Sequence, residues 1–597
     1  PLFTYSILSM NQLILEGYGW MIKENKEIVK ILYEIANLLE LKDEVFRSRA
    51  YRRAARSIED LSESLHDIAA RDELEQIPGV GKAIAKKLEE LLQTGQLQYL
   101  DKLRGELSKE LIELSEIPGI GPKTLKVLRD ELGIQNIKQL RNALEAHQIR
   151  DLPGFGERSE ENVQRSLELY LQHSLQHRGR IFIGKAFPIA QQLVEELEKL
   201  SEVKQIEVAG SLRRWKETVG DIDILVTSTD PTPIMQHFVN LPSVTQVLAH
   251  GVTKSSILID EGIQADIRVI EPEAFGAALQ YFTGSKTHNI ALRRLARQHG
   301  WKLSEYGLFD LKTDQRIAGS TEEEIYQQLG MIWIPPELRE DTGEIEAALQ
   351  NRLPTLVHCD DICGDLHVHT NWSDGTETIE AMANAAKQRG YEYLGICDHS
   401  KQVRVVNGLD ETRLREQIET IRILNKKIRG IRILAGIEVD ILTDGSLDLS
   451  DDVLAETDLV VAAVHIYRKV SEEKMTDRLI QAMKNPHVDI LAHPLGRIVG
   501  QRPPYPVNLD ELIMAAKQHE VILEINAFER LDLPDTAARV AQENGVKLAI
   551  NTDAHHTSQL DAMIYGVAMA RRGWVEASSV INTQPLEKLE KTLKHVH

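Results

Sequence analysis

The sequence predicts a multidomain protein of mixed α+β and α/β class, with a helical N-terminal part, a small mixed domain and a C-terminal β/α barrel. A Pro-Gly-x-Gly pattern occurs three times among amphipathic helices in the first 160 residues. Two predicted strands that carry aspartates follow, and beyond residue 364 one apolar run after another ends at a histidine or an acid. At 597 residues the chain is also too long for a single hydrophobic core.

The composition argues against a membrane-spanning or disulfide-stabilised protein. No apolar run reaches the roughly eighteen residues that a membrane span needs. Three cysteines cannot form a disulfide framework, which favours a reducing cytoplasm. A net charge of -21 argues against a protein that coats DNA with positive charge, so any nucleic-acid contact must be local. Residues 1–22 begin without Met and lack signal-peptide features, and we assign this N-terminal extension no function.

Two helices are predicted before the first Pro-Gly-x-Gly pattern. Apolar residues recur at helical spacing over 24–41. The second helix is rich in arginine around Tyr51. Such a helix is either a solvated face or a surface that contacts phosphates, and the motifs that follow favour the second interpretation. The arginines are Arg47, Arg49, Arg52, Arg53 and Arg56.

The repeated pattern resembles the helix-hairpin-helix motif, which binds the DNA backbone without reading sequence. Its two glycines permit a tight hairpin and a close backbone approach. Free N–H groups at the start of the next helix then point at a phosphate. The third copy departs from the others because Glu157 and Glu160 add negative charge. The predicted DNA-binding glycines are Gly79, Gly81, Gly119, Gly121, Gly154 and Gly156.

Three aspartates in the middle of the chain predict a metal site. Asp221 and Asp223 lie two residues apart around a predicted strand at 222–226, so their side chains share a face. Two carboxylates this close repel each other unless a cation lies between them. Asp266 lies on a predicted strand at 263–270. Together these acids could hold two Mg²⁺ or Mn²⁺ ions, as phosphoryl transfer requires. A strand at 203–209 and a Gly-Ser turn precede them.

The C-terminal half predicts a second metal site at the carboxyl ends of barrel strands. Apolar runs at 393–397, 431–437, 459–464, 488–492 and 546–550 each end at a candidate ligand, and helices are predicted between them. Six imidazoles and three carboxylates suit two or three Mn²⁺, Zn²⁺ or Fe²⁺ ions better than Mg²⁺ alone. The predicted ligands are His367, His369, Asp374, His399, Glu438, His465, His493, Asp553 and His555.

The first half contains Gly210-Ser211 followed by Arg213-Arg214, the run Gly220-Asp221-Ile222-Asp223, and Tyr281-Phe282-Thr283-Gly284-Ser285 with Asn289 and Arg293. On these motifs it resembles a family X DNA polymerase, and with the second half the resemblance extends to the bacterial two-domain form over nearly the whole chain. It implies a nucleotidyltransferase palm whose catalytic acids are the three aspartates. It also implies that Ser211 and Arg214 touch the incoming triphosphate, and that Lys87 is a Schiff-base nucleophile of a lyase domain. A solvated helix lysine is the alternative for Lys87. The motifs that carry the resemblance include Gly210, Ser211, Arg214, Gly220, Tyr281, Phe282, Gly284, Asn289 and Arg293.

Several of these residues are implied to bind the nucleotide. Gly210 and Gly220 belong to the palm motifs, and the Tyr281-Phe282-Thr-Gly284 stretch is implied to hold the sugar. Asn289 and Arg293 are implied to reach the nascent base pair. The sequence departs from the family at 286–288, Lys-Thr-His, which would alter the grip on the nucleotide.

The C-terminal half resembles the PHP (polymerase and histidinol phosphatase) family, a seven-stranded barrel in which metal-activated water attacks phosphorus. All nine ligand positions have the expected residue type. Fused to a polymerase, such a domain implies a 3′-5′ exonuclease. Arg497 and Arg502 are either phosphate clamps or solvated arginines.

The domain boundaries are predicted from these motifs and from a Pro-rich linker with one helix at 344–351. They are an extension at 1–22, a lyase-like helical domain at 23–92, a helical DNA-binding subdomain at 93–178, a palm at 179–277, a nucleotide-selection subdomain at 278–335, a linker at 336–362 and a PHP domain at 363–597.

The leading hypothesis is a cytoplasmic, monomeric enzyme with two active sites that acts in base excision repair. It would fill gaps on gapped or primer-template DNA from dNTPs and trim 3′ ends, with an abasic-site lyase or endonuclease activity as a further hypothesis. One alternative treats the C-terminal site as a small-molecule phosphatase tethered to a polymerase. Another treats the first half as a DNA-binding scaffold with an inactive palm.

Overall fold

The computed structural model describes residues 25–594, except 43, 60–64, 72, 95–96, 106–113, 115–121, 153–154, 157–159, 161–162, 165–166, 168–179, 260–261 and 404–405. The extension 1–22 and the predicted DNA-binding residues Gly119, Gly121 and Gly154 lie outside the described residues. The chain forms two compact units, Pro1–Arg178 and Gly179–His597. Among the described helices, none combines the length and apolarity that crossing a bilayer requires.

The first unit is helical, as predicted. In α1, Ile28, Leu32, Ile35 and Leu39 recur every three or four residues and are at most 1% exposed, so they form the buried face of this helix. Gly79 has a left-handed φ of +88°, which a glycine adopts at little cost. It lies in the turn that precedes α4 (Lys82–Thr94). The helices described here are α1 (Asn25–Leu41), α2 (Val45–Glu59), α3 (Leu65–Ala70), α4 (Lys82–Thr94), α5 (Gln98–Gly105), α6 (Pro122–Leu132) and α7 (Ile137–Glu145).

The second unit begins with a five-stranded mixed sheet, in the spatial order β2 (Gln205–Val208), β4 (Asp221–Thr227), β7 (Ile263–Ile270), β6 (Lys254–Ile259) and β5 (Val244–His250). Ile222, Ile224 and Val226 of β4 are fully buried in the core, so the alternating Asp221 and Asp223 face the other side of the sheet. The predicted Gly-Ser turn is instead one helical turn, α9. The elements are β1 (Ile181–Phe182), α8 (Ile183–Glu198), β2 (Gln205–Val208), α9 (Gly210–Arg213), β3 (Thr218–Val219), β4 (Asp221–Thr227), α10 (Pro231–Val239), β5 (Val244–His250), β6 (Lys254–Ile259) and β7 (Ile263–Ile270).

A small subdomain follows the sheet and is joined to it by a buried ion network. Glu322 accepts hydrogen bonds from both Arg213 and Arg339. Arg339, from the segment predicted as a linker, is completely buried, and its guanidinium lies over the ring of Tyr326. This segment is therefore packed into the fold. The elements are α11 (Phe275–Thr283), α12 (Lys286–Gln298), β8 (Trp301–Ser304), β9 (Gly307–Asp310), β10 (Arg316–Ala318), α13 (Glu322–Gln328) and α14 (Glu344–Leu349).

The rest of the unit is the predicted parallel seven-stranded barrel, with its strands in chain order. It closes almost completely because the His369 and Asp553 amides donate to the carbonyls of Ala554 and His367. The strands are β11 (Gly364–Val368), β12 (Tyr393–Ile396), β13 (Arg432–Asp440), β14 (Leu459–Ala463), β15 (Ile490–Leu491), β16 (Ile522–Asn526) and β17 (Leu548–Asn551). The helices are α15 (Ile379–Gln388), α16 (Glu411–Lys427), α17 (Asp451–Leu454), α18 (Glu472–Met483), α19 (Leu509–Gln518), α20 (Asp535–Glu543), α21 (Met563–Arg572) and α22 (Leu586–Leu589).

Candidate active sites

The nine predicted ligands of the barrel lie together at the carboxyl ends of its strands. Glu438 is at their centre, within β13 rather than after it as the sequence predicted. The shortest contacts from imidazole nitrogens to the Glu438 oxygens are 2.7 Å from His399, 2.9 Å from His493, 3.3 Å from His465 and 3.6 Å from both His367 and His369.

The remaining acids extend this cluster on either side of Glu438. Asp374 Oδ1 lies 3.3 Å from His555 Nε2, and Asp374 Oδ2 lies 3.6 Å from His399 Nε2. Asp553 Oδ1 lies 3.0 Å from His369 Nε2. The rings of His369 and His555 stack with their centroids 4.2 Å apart. The structure thus brings all nine side chains into one continuous cluster.

The donor set of the cluster fits a multi-metal centre. Ligand atoms fall into three overlapping groups in which all atoms lie within 4.8 Å of one another. His369 Nδ1 and His493 Nδ1 are buried, and the described residues offer neither a hydrogen-bond partner. Mixed nitrogen and oxygen donors suit borderline ions such as Zn²⁺, Mn²⁺ and Fe²⁺. The groups are His369, Asp374, His399 and His555; His367, His369 and Glu438; and His399, Glu438 and His465.

Sequence reasoning missed a carboxylate behind the ligands. Glu524, fully buried on β16, accepts a hydrogen bond from His367 Nδ1 at 2.8 Å and another from the His493 amide at 2.8 Å. Glu524 therefore orients the predicted metal ligand His367 without being one of the nine predicted ligands. The signal that could have found it is an acid within the apolar run 521–525.

The two arginines considered as phosphate clamps have different surroundings. Arg497 Nη2 lies 2.8 Å from a carboxylate oxygen of Glu217, across the interface with the mixed sheet. Arg502 Nε donates to the Gly496 carbonyl at 2.8 Å. Burial, then the charges of Arg530 and Arg468, lower the pKa of Arg502 to about 10. Arg497 thus takes part in an interdomain ion pair, whereas Arg502 belongs to a group of arginines.

The three aspartates of the mixed sheet lie on neighbouring strands. Asp221 and Asp223 are on β4, and Asp266 pairs with Asp223 on the parallel strand β7. Burial and the charges of the other two acids raise the pKa of Asp223 to about 7. A Cβ at Gly210 would lie 2.5 Å from Asp223 Oδ2, so only glycine fits there. Unlike the histidine cluster, the three acids do not form a group with all ligand atoms within 4.8 Å.

The two predicted triphosphate ligands lie in and just after α9, the helical turn that begins at Gly210 beside Asp223. Arg214 donates from Nε to Glu340 at 3.1 Å and from Nη1 to the Thr283 carbonyl. Its guanidinium packs on Gly284, where a Cβ would lie 3.1 Å from Nη1. Ser211 is in α9, directly after Gly210. Gly220 immediately precedes β4.

The predicted sugar and base contacts are held by local hydrogen bonds. The rings of Tyr281 and Phe282 meet edge to face, with centroids 5.2 Å apart. Asn289 donates to the Tyr281 carbonyl at 2.7 Å, and Arg293 Nε donates to the Asn289 carbonyl at 3.1 Å. Residues 286–288 differ from the family pattern. Of these, His288 has a structural role, because it is fully buried and its ring contacts Glu344 and Tyr326.

In the helical unit, Lys87 occupies a cationic and partly buried position on α4. Its Nζ lies 4.7 Å from the ring centroid of Tyr99 and donates to the Ala83 carbonyl at 3.0 Å. Burial and then the charge of Arg47 lower the pKa of Lys87. A lysine nucleophile requires such a shift. Gly79 and Gly81 precede this helix, and a Cβ at Gly81 or at Gly156 would meet no other atom within 4 Å.

The two sites together define the class of protein. A multi-histidine centre at the carboxyl edge of a parallel barrel, together with three aspartates on a mixed sheet, is typical of metal-dependent enzymes that act on phosphate esters.

Family models match most of the chain. The DNA polymerase beta palm model matches residues 186–278, and the DNA polymerase beta thumb model matches 278–340. A PHP domain model matches 365–527. A helix-hairpin-helix domain matches 23–97, and a SAM-like helix-hairpin-helix tandem matches 111–168.

A relative in Bacillus subtilis (strain 168), named DNA polymerase/3′-5′ exonuclease PolX, is 38% identical over 95% of this chain and 99% of its own length. The chain therefore belongs to the PolX group of family X DNA polymerases, which confirms the resemblance. A probable phosphatase of Thermoanaerobacter sp. (strain X514) is 30% identical over 38% of this chain and 94% of its own length. DNA polymerase lambda of Arabidopsis thaliana is 25% identical over 53% of this chain and 62% of its own length.

We expect Glu524→Gln to weaken metal binding at the barrel site by about 10- to 100-fold, because outer carboxylates hold ligating imidazoles in the correct tautomer. Metal affinity is measured by competition with a chromogenic chelator, using Mn²⁺ and Zn²⁺. Glu529→Gln, an exposed position just beyond the same strand, is the matched control. Equal affinities in the two variants would contradict a role for Glu524 in orienting His367.

In the metal-free protein we expect the palm to lose stability as pH rises from about 4 to about 7. An unfolded Asp ionises near pH 4, whereas the pKa of Asp223 is raised to about 7 in the fold. Between these values only the folded state keeps the proton, so a higher pH favours unfolding, by roughly 4 kcal/mol at most.

Thermal unfolding in EDTA measures this slope. Asp223→Asn cannot ionise and should lack it, and Mg²⁺ should restore the stability of the unmodified chain at the higher pH. The same slope in both proteins would show that Asp223 does not carry the effect.

Proposed function

We propose that the chain is a DNA polymerase that fills short gaps in base excision repair and that its barrel is a metal-dependent 3′-5′ exonuclease. The observation that carries this proposal is the coexistence, in one chain, of the aspartate site and the nine-residue histidine cluster. A relative that is named for both activities aligns with 95% of this chain.

In the polymerase half, Asp221, Asp223 and Asp266 would hold two Mg²⁺ or Mn²⁺ ions. These ions supply charge stabilisation for phosphoryl transfer when bound. The high pKa of Asp223 fits such a role, since a cation would favour its ionised form. Arg214 and Ser211 would hold the phosphates of a dNTP, because a guanidinium and a hydroxyl both donate to phosphate oxygens.

The surrounding residues would place the rest of the nucleotide. Gly210 lets α9 pack directly against Asp223, and Gly220 immediately precedes the strand that carries the aspartates. Tyr281, Phe282 and Gly284 would contact the sugar, and the amide of Asn289 would need to exchange its internal hydrogen bonds for the base pair. Arg293 lies one helical turn beyond Asn289. Together these residues would form a surface for primer-template DNA.

In the barrel, the nine clustered side chains would hold two or three Mn²⁺, Zn²⁺ or Fe²⁺ ions. Such ions activate water toward phosphorus when bound. The chain's own part is to fix the imidazoles: Glu524 orients His367, and Glu438 holds the ligands around it. Arg530, whose Nε lies 3.4 Å from Asp553, would meet an approaching phosphate.

The helical unit would bind the DNA backbone through its hairpins, including Gly79 and Gly81. Lys87 would attack an abasic sugar, since burial and Arg47 both favour its neutral amine. We further propose that the protein acts in the cytoplasm as a monomer.

A second candidate for the barrel is a phosphatase of small phosphate monoesters. It is favoured by the relatives that are named probable phosphatases and that align with 38% of this chain over 94% of their own length. Release of phosphate from such monoesters, compared with release of mononucleotides from a DNA 3′ end, separates the two candidates.

We expect Asp221→Ala to lower nucleotide incorporation on gapped DNA by roughly a hundredfold or more, since it removes a charged group that acts on the transition state. Its 3′-end digestion should remain. His367→Ala should have the reverse effect. Both activities are measured on the same gapped duplex with Mg²⁺, Mn²⁺ and Zn²⁺. His519→Ala, at the end of α19, is the control for loss of an imidazole. If either substitution removes both activities while the protein remains folded, the two-site proposal is wrong.

Borohydride trapping on abasic DNA tests the lyase proposal. Lys87→Ala should abolish the covalent product, because only a neutral amine at this position forms the Schiff base. Lys86→Ala, at the adjacent exposed lysine, should retain it. Trapping that survives in the Lys87 variant would refute the assignment.

A further inference from the structure

The loop that carries Arg214 rests on the barrel through one buried arginine. Arg572, the last residue of α21, has a side chain only 3% exposed. Its Nη1 donates to the Arg214 carbonyl at 2.7 Å and to Glu340 Oε1 at 3.1 Å. Its Nε and Nη2 contact Asp535 Oδ2 at 2.9 and 2.7 Å. One guanidinium therefore joins the barrel domain to the candidate triphosphate-binding loop.

Glu340 is shared by two arginines. Its Oε1 accepts from Arg214 Nε at 3.1 Å as well as from Arg572. Lys216 Nζ lies 3.8 Å from the same oxygen. With Asp535 included, three positive side chains face two carboxylates, which leaves one formal positive charge in excess. An excess positive charge at this loop favours an anionic ligand.

The contact is rigid on the barrel side. Gly566 of α21 packs so closely that a Cβ there would lie 2.6 Å from Ile550 and 2.7 Å from Ala527. The neighbouring Tyr565 meets Trp215 edge to face, with ring centroids 6.2 Å apart. The helix is thus packed between two barrel strands and the loop after α9. Arg572 is held in place before any nucleotide binds.

We propose that Arg572 is a positioning residue for nucleotide binding by the polymerase site, acting from the exonuclease domain through Glu340 and the backbone of Arg214. This inference rests on the proposed function, in which Arg214 holds the triphosphate. It makes the barrel a structural part of the polymerase site in addition to its own activity.

Two physical effects follow from removing Arg572. The Arg214 carbonyl loses a charge-assisted hydrogen bond, so the loop is less firmly placed. Glu340 loses one of its two arginine partners and pairs more fully with Arg214, which leaves less positive charge for a phosphate. Neither effect touches the aspartates. The loss should therefore appear in KM for the nucleotide, with kcat nearly unchanged.

Single-nucleotide incorporation by the full chain tests this inference. We expect Arg572→Gln to raise KM for a dNTP about tenfold, as expected for one lost charge-assisted hydrogen bond. Arg572→Lys keeps the positive charge but lacks the planar guanidinium that donates in two directions, so it should raise KM for the dNTP by less. Arg571→Gln is the matched control, because Arg571 is the buried neighbour of Arg572. Its guanidinium donates to the Glu337 carboxylate and to the Val357 carbonyl, and not to Arg214 or Glu340.

The accompanying measurements separate the possible failures. Thermal unfolding and 3′-end digestion check that each variant is folded. If Arg572→Gln does not fold, the KM of the Arg572→Lys variant tests the inference instead. An equal rise in KM for the Arg571 and Arg572 variants, or a fall in kcat alone, would overturn the inference. If Arg214→Gln raises KM and neither Arg572 variant does, the inference fails while the proposed function stands. If Asp221→Ala still incorporates nucleotides, the proposed function itself fails.

Discussion

The barrel site depends on the buried carboxylate of Glu438. Burial alone would raise its pKa, but His465, His399 and His367 hold that pKa well below its ordinary value. An ionised acid is stable in the interior only when cations or hydrogen-bond donors surround it. Five imidazoles lie within 3.6 Å of its oxygens and supply that environment. The same contacts bring side chains from several strands to one point, so the charge balance also fixes the geometry of the ligands.

The aspartate site differs from the barrel site in how positive charge balances its buried carboxylates. Lys254 Nζ lies 3.5 Å from Asp266, and the charges of Arg180 and Arg268 lower the pKa of Asp221 and of Asp223 respectively, but these cations do not offset burial. Burial and mutual repulsion therefore raise the pKa values of Asp221 and Asp223. The imidazole cluster contains its own counter-charges, whereas the aspartates need an added cation to ionise together. The two sites should consequently differ in how strongly pH and metal ions affect their stability.

The sequence predicted those features that follow from chain periodicity and missed those that depend on distant partners. Alternation along β4 placed Asp221 and Asp223 on one face, and strand ends located the barrel ligands, because parallel strands share one carboxyl edge. Glu524 was missed, since its role depends on His367, more than 150 residues away in sequence. Arg497 resembled a phosphate clamp, but its partner Glu217 lies in another domain. Such pairings arise from packing and leave no local pattern.

The packing between palm and barrel constrains how DNA can use both sites. Buried side chains of the mixed sheet and of the barrel belong to one continuous hydrophobic core. Arg571 of the barrel also pairs with Glu337, in the segment predicted as a linker, in a buried position where breaking an ion pair is costly. A hinge between these domains would expose this surface and leave these charges unpaired. We therefore expect a DNA 3′ end to move between the two sites by motion of the DNA, with palm and barrel remaining a single rigid support.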